Sequence, residues 1–138
     1  MEHFILMAEV KITKDLNIET LDSDLKNVTS VINKIHKHKF ITALDIMFDN
    51  EFQGITNSLQ HAIEIIFDIE ECLIENNLDF KLKYVLYHDY IKTIHSKHSA
   101  YERLGLGLID ARERLKLIKK TESRFLIATK DEKTSLHL

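Results

Sequence analysis

The chain has 138 residues, 44% hydrophobic and 30% charged, with a formal net charge of −3. That is one domain's worth of globular sequence, too hydrophobic for disorder, and no apolar run approaches the roughly 20 residues that cross a bilayer. The acidic balance argues against a generic polyanion-binding surface, the lone Cys72 excludes an intramolecular disulfide, and the start Met1-Glu2-His3-Phe4-Ile5 lacks the features of a signal peptide.

From Phe4 to Val10 a short apolar run, broken late by Glu9, predicts a strand buried on both faces. Lys11 to Glu19 reads as a loop. Leu21, Leu25, Val28, Ile32 and Ile35 then recur at helical spacing, with Thr20 as the expected cap. Phe40, Thr42, Leu44, Ile46 and Phe48 alternate with Ile41, Ala43, Asp45 and Met47, which predicts a second strand. Asp49-Asn50 is turn chemistry, so a hairpin into Glu51–Ile55 follows, with Gly54 marking its exit.

Leu59, Ala62, Ile63, Ile66, Ile69 and Leu73 make the clearest helical stripe, capped by Thr56 or Asn57 and ended by Asn76-Asn77. Phe80 to Tyr87 alternates as a long strand with one partly wet face, continuing toward Ile91. After a polar loop over 92–99, Leu104, Leu108, Ala111, Leu115 and Ile118 form a third helical stripe, on which Asp110 and Arg114 are an i,i+4 pair. Residues 124–129 supply a last strand. The order β-α-β-β-α-β-α-β predicts an α+β domain with one mainly antiparallel sheet, helices packed on it, and the core of a ferredoxin-like or nucleotide-cyclase-like palm. No linker or repeat divides the chain, so residues 1–138 read as a single domain.

Phe48-Asp49-Asn50-Glu51-Phe52-Gln53-Gly54 is the most informative stretch, because it closes an apolar strand-like run with three polar carbonyl-bearing side chains. As plain structure, Phe52 packs in the core and Gln53 caps a turn. Asp45, if its face is buried, needs a partner such as Lys81 or Lys83. His36 with His38, and His95 with His98, read as solvated surface rather than metal ligands, since i,i+2 residues share no helix face and neither pair has a nearby cysteine. His88 and Asp89 point to opposite faces of their strand, so one of them reaches toward a cleft. Gly105-Leu106-Gly107 before a helix lets backbone amides approach a phosphate, and equally suits close helix-to-sheet packing. Arg112 and Arg114 pair with Asp110, Glu113 or other acids on a solvated face, and Cys72 is a small apolar filler.

Three segments together resemble the SatD family of bacterial proteins over nearly the whole chain: Phe4 to Val10, Phe48 to Gly54 with its Glu51-Phe52-Gln53-Gly54, and Tyr101 to Arg112 with its Gly105-Leu106-Gly107 and Ala111-Arg112. Ala8-Glu9 stands where that family has Gly-Asp, and Asp49-Asn50 stands where its hairpin has Gly-Asp. The resemblance implies a palm like that of class III nucleotide cyclases, in which carboxylates at the end of the first strand and at the hairpin hold a divalent cation over a triphosphate. Members typically continue into a segment resembling a DNA-binding helix pair, for which residues 1–138 hold no counterpart.

Transferred residue by residue, the resemblance implies ligand contacts from Glu9, Lys11, Asn50, Glu51, Gln53, Gly105, Gly107 and Arg112, and metal ligands Glu9, Asp49 and Glu51. With one hairpin aspartate replaced by neutral Asn50, the leading expectation is a cytoplasmic regulatory or ligand-binding domain with a degenerate cleft for a nucleotide or other small anion. The enzyme alternative is an Mg²⁺- or Mn²⁺-dependent nucleotidyl cyclase or transferase. The third alternative is an interaction module that pairs as a homodimer. No membrane and no nucleic-acid partner is expected for this segment.

Overall fold

The computed structural model describes residues 2–11, 16–48, 50–90, 108–117, 124–129 and 136–137. In chain order they form β1 (Glu2–Lys11), α1 (Ile18–Ile35), a 3-10 turn (Lys37–Lys39), β2 (Phe40–Phe48), β3 (Glu51–Thr56) and α2 (Leu59–Glu75). β4 (Lys81–Tyr90), a helix over residues 108–117 (α3), β5 (Phe125–Thr129) and β6 (Leu136–His137) complete the order. The fold is α+β with one mixed sheet in the order β2-β3-β1-β4-β5-β6. Every neighbouring pair is antiparallel except β4 with β5, which run parallel. The two-residue β6 has no counterpart in the order read from the sequence.

Helices cover both faces of the sheet, which explains why β1 is a continuous apolar run. Along β1 successive side chains alternate faces, and Ile5, Leu6, Met7 and Ala8 are all fully buried. Leu6, Ala8 and Val10 join Leu82, Tyr84 and Leu86 of β4 beneath the apolar stripes of α1 and α2. Ile5 and Met7 join Ile55, Val85 and Tyr87 beneath Ala111 and Leu115 of α3. Each fully buried Leu or Ile side chain contributes about 1.5–3 kcal/mol of hydrophobic stabilisation before the entropy of ordering it is set against that gain.

Local chemistry moves several boundaries from where composition alone puts them. α1 begins earlier than Thr20: Asn17 is the cap, its Oδ1 accepting from the Glu19 N–H at 3.1 Å, while Thr20 donates its hydroxyl to the Asn17 carbonyl. α2 is capped by neither Thr56 nor Asn57. Ser58 Oγ accepts from His61 N–H, and Thr56 instead donates its hydroxyl to the Ser58 carbonyl at 2.9 Å, bracing the cap from behind. Asn76-Asn77 ends α2 as expected, with Asn76 at the cap and Asn77 in the left-handed region at φ 54°.

Gly54 does not mark the exit of the hairpin. It lies inside β3, and a Cβ there would come within 2.9 Å of Leu44 Cδ2 and 3.1 Å of the Thr42 carbonyl, so its role is close approach between β2 and β3. Asp45 is exposed on β2 and needs no buried partner. His36 departs furthest from expectation. It is buried at 4% exposure because α2 brings Asp68 against it, with Nε2 and Oδ2 2.5 Å apart, whereas His38 is exposed as expected.

Candidate functional site

The β2–β3 hairpin is fastened to the end of β1. The Val10 N–H donates to the Asn50 carbonyl at 2.9 Å, and the β1–β3 register then sets Glu9 opposite Glu51 and Met7 opposite Gln53. On its other side Glu9 stands opposite Lys83 of β4. Glu51, Glu9 and Lys83 thus form one row across three strands, on the face that α3 covers. Directly opposed residues carry Cβ atoms roughly 4.5–5.5 Å apart, and like charges in that position repel.

Compensation comes from the helix above. Arg112 of α3 places Nη1 2.9 Å from Glu51 Oε1. Glu51 and Lys83 are 8% and 4% exposed, and charges so far from water are stable only with partners of opposite sign or hydrogen bonds. Among the described residues two acids and two bases therefore meet around the hairpin end of the sheet: Glu9 and Glu51, Lys83 and Arg112. The two charges of each sign bring the group's formal sum to zero.

Of the residues expected at the site, Glu9, Asn50, Glu51, Gln53 and Arg112 converge on this end of β1 and β3. Lys11 lies at the last position of β1, exposed and opposite Lys81. Gln53 lies within β3, opposite both Met7 and Asp45, and caps no turn. Arg112 departs from the expected solvated pairing with Asp110 or Glu113, since its carboxylate partner is Glu51, while Arg114 does pair with Asp110 at 3.5 Å. Asp49, Gly105 and Gly107 lie outside the described residues, as do His95 and His98. Among the described residues no group of three or more His, Cys, Asp or Glu side chains gathers to hold a metal.

Lys83 is the site residue that sequence reasoning missed. The alternation Leu82, Tyr84, Leu86 put Lys83 on the wet face of β4, and only the position of α3 makes that face dry. A lysine between apolar residues on a strand with Val85 and Tyr87 of the same parity was the available signal.

Three further polar contacts organise the opposite face. The Tyr84 hydroxyl donates to Glu70 Oε2 at 3.0 Å, and Arg124 donates to Glu70 and, through Nε, to the Leu82 carbonyl at 3.2 Å. Burial, with the Glu70 charge beside it, pushes the Tyr84 phenol well above its ordinary range. Burial also raises the Cys72 thiol, which sits on α2 as a buried filler accepting a contact from the Asn76 amide. On the surface, the hydrogen bond from Lys39 holds the Glu64 carboxyl below its usual range.

No family model and no curated protein matches the chain. Among solved structures, "The crystal structure of a DGC protein from Thermotoga maritima" is similar with a TM-score of 0.49 and 15% sequence identity, over 81% of this chain and 76% of that chain. No described helix is long and apolar enough to cross a membrane.

Proposed function

We propose that the chain is a SatD-like regulatory domain on a nucleotide-cyclase-like palm, binding an anionic ligand such as a nucleotide at the Glu9–Glu51 end of the sheet without turning it over. The strand order β2-β3-β1-β4 with α1 and α2 on one face supports the ferredoxin-like reading of its first four strands. The observation that carries the functional reading is the Arg112–Glu51 ion pair.

A two-carboxylate Mg²⁺ or Mn²⁺ centre needs oxygen ligands with negative charge to spare. Here a guanidinium sits on one carboxylate and an ammonium stands strand-opposite the other, so a dication would meet both carboxylates already balanced and two positive neighbours. Among the described residues, Glu9 and Glu51 with Lys83 and Arg112 beside them are a poor donor set for such a centre, and Asp49, the third expected ligand, lies outside those residues. An anion is the better match, because Arg112 presents a planar fork of donors suited to an oxyanion, and the bound anion offsets the roughly 1–3 kcal/mol of parting Arg112 from Glu51.

The test is a melting assay on the whole chain with nucleoside triphosphates, alone and with Mg²⁺ or Mn²⁺, run beside a product assay. A melting shift that needs no metal, without product, is the expected result. No shift with any nucleotide removes the nucleotide site. Metal-dependent product that Glu9→Gln abolishes without unfolding the domain establishes the enzyme reading instead.

A further inference from the structure

On the opposite side of the molecule from the charged row, α1 and α2 leave an open groove. Val31 and Ile35 of α1 border it and are 45% and 64% exposed, while Val28, Ile32 and Cys72 are buried along its floor. Two adjoining hollows of about 230 and 290 Å³ share Val31, Cys72 and Asn76, so the groove is continuous from Asp24 to Ile35 of α1 and from Asp68 to Glu75 of α2. Carboxylates alone supply its charge: Asp24 from α1, with Asp68, Glu71 and Glu75 from α2. Among the described residues no lysine or arginine lines either hollow. Asp68 is engaged by His36, whereas Asp24, Glu71 and Glu75 form no ion pair among the described residues.

We infer that this groove docks a basic amphipathic helix of a partner protein. The part of α1 that lines it runs from Asp24 to Ile35, about 17 Å at 1.5 Å per residue, which is the span of about three turns of a helix laid alongside it. Such a helix sets apolar anchors at i, i+3 or i+4 and i+7 on Val31 and Ile35, and its flanking Lys or Arg side chains reach the carboxylate rims. The acidic rims steer a cationic partner in and reject an acidic one. A second copy of this chain, itself of net charge −3, brings the same carboxylates and is repelled groove to groove.

The probe is a fluorescent Leu/Lys amphipathic peptide of about 18 residues, titrated against the whole chain by anisotropy. Two controls accompany it: a scrambled peptide of the same composition and a Leu/Glu peptide of the same pattern. Saturable binding is expected for the Leu/Lys peptide. It weakens at least roughly tenfold in the Glu71→Lys/Glu75→Lys variant, and separately in Ile35→Asp and Val31→Asp, each titrated well below its own melting temperature. Equal binding of the scrambled peptide, or wild-type affinity in the aspartate variants, overturns the proposal. So does sedimentation showing a wild-type dimer that Ile35→Asp dissociates, since the occupant is then a second copy.

Discussion

Arg112 and Glu51 are joined at 2.9 Å across the space between α3 and β3, so the helix on the second face is pinned to the hairpin strand by charge as well as by Ala111 and Leu115. Replacing Arg112 by Met keeps most of the stem and deletes the cation. The expected loss is about 1–3 kcal/mol, because a mostly buried carboxylate then loses a charged partner. Glu51→Gln costs less, since it removes the buried negative charge itself, and the cation left behind on Arg112 is the more exposed of the two partners. Urea unfolding measures both, and equal losses in the two variants would refute this order.

The same substitution bears on cation binding. With Arg112→Met and Lys83→Met combined, Glu9 and Glu51 face each other without the two nearby positive charges, and Mn²⁺ becomes the most direct remedy for their repulsion. A Mn²⁺-dependent rise in melting temperature is expected in the double variant and not in the wild type. A wild-type response of equal size would show that the two bases do not govern cation access.

Gly54→Ala tests the close approach of β2 and β3. The new methyl meets Leu44 Cδ2 at 2.9 Å, which rotation of Leu44 relieves, and the Thr42 carbonyl at 3.1 Å, which only backbone movement relieves. A loss of about 1–3 kcal/mol is expected, and adding Leu44→Ala recovers none of the Thr42 part. Thermal melts of the single and double variants decide it.

Tyr84 makes stability fall at alkaline pH. Its folded pKa lies above the unfolded value because the buried phenol resists ionising beside Glu70, so its contribution is fully present below about pH 10 and is lost as pH rises through the folded pKa. Tyr84→Phe removes that alkaline component together with the 3.0 Å hydrogen bond to Glu70. Denaturant melts across the alkaline range, with phenolate absorbance followed in parallel, measure the difference. An unchanged alkaline slope in Tyr84→Phe would locate the effect in another tyrosine.

His36 is worth a similar test on the other helical layer. Buried at 4% exposure and 2.5 Å from Asp68, it links the end of α1 to α2. His36→Ala is expected to cost about 1–3 kcal/mol by leaving a cavity and an unpartnered carboxylate. Asp68→Asn, which keeps a hydrogen-bonding side chain, costs less. A loss in Asp68→Asn as large as that in His36→Ala would assign the effect to the His36–Asp68 contact rather than to the packing of the ring.

What the sequence made legible follows from how far each signal reaches. Phe40–Phe48 and the stripes of α1 and α2 are periodic over many residues, so each element's type was readable. Caps were not, because Thr56, Asn57 and Ser58 all carry a suitable oxygen and only backbone geometry at Ser58 selects among them. The burial of Lys83 and His36, and the choice of Glu51 by Arg112, depend on elements distant in the chain. Local spacing favoured the near acids Asp110 and Glu113 for Arg112, and distance along the chain hid Glu51. At the site, Glu9 and Glu51 were legible as acids at two strand ends, whereas the bases beside them emerge only once three strands and α3 are assembled.

β1 has a neighbour on each side and a helical layer over each face, and no part of Ile5 to Ala8 reaches solvent. No local opening frees its amides without also parting β3 or β4, so exchange there is expected only through the largest openings of the domain. The Met7 and Ala8 amides are therefore internal clocks for global stability: their exchange rates, followed by nuclear magnetic resonance in deuterated buffer, give the unfolding free energy under fully native conditions.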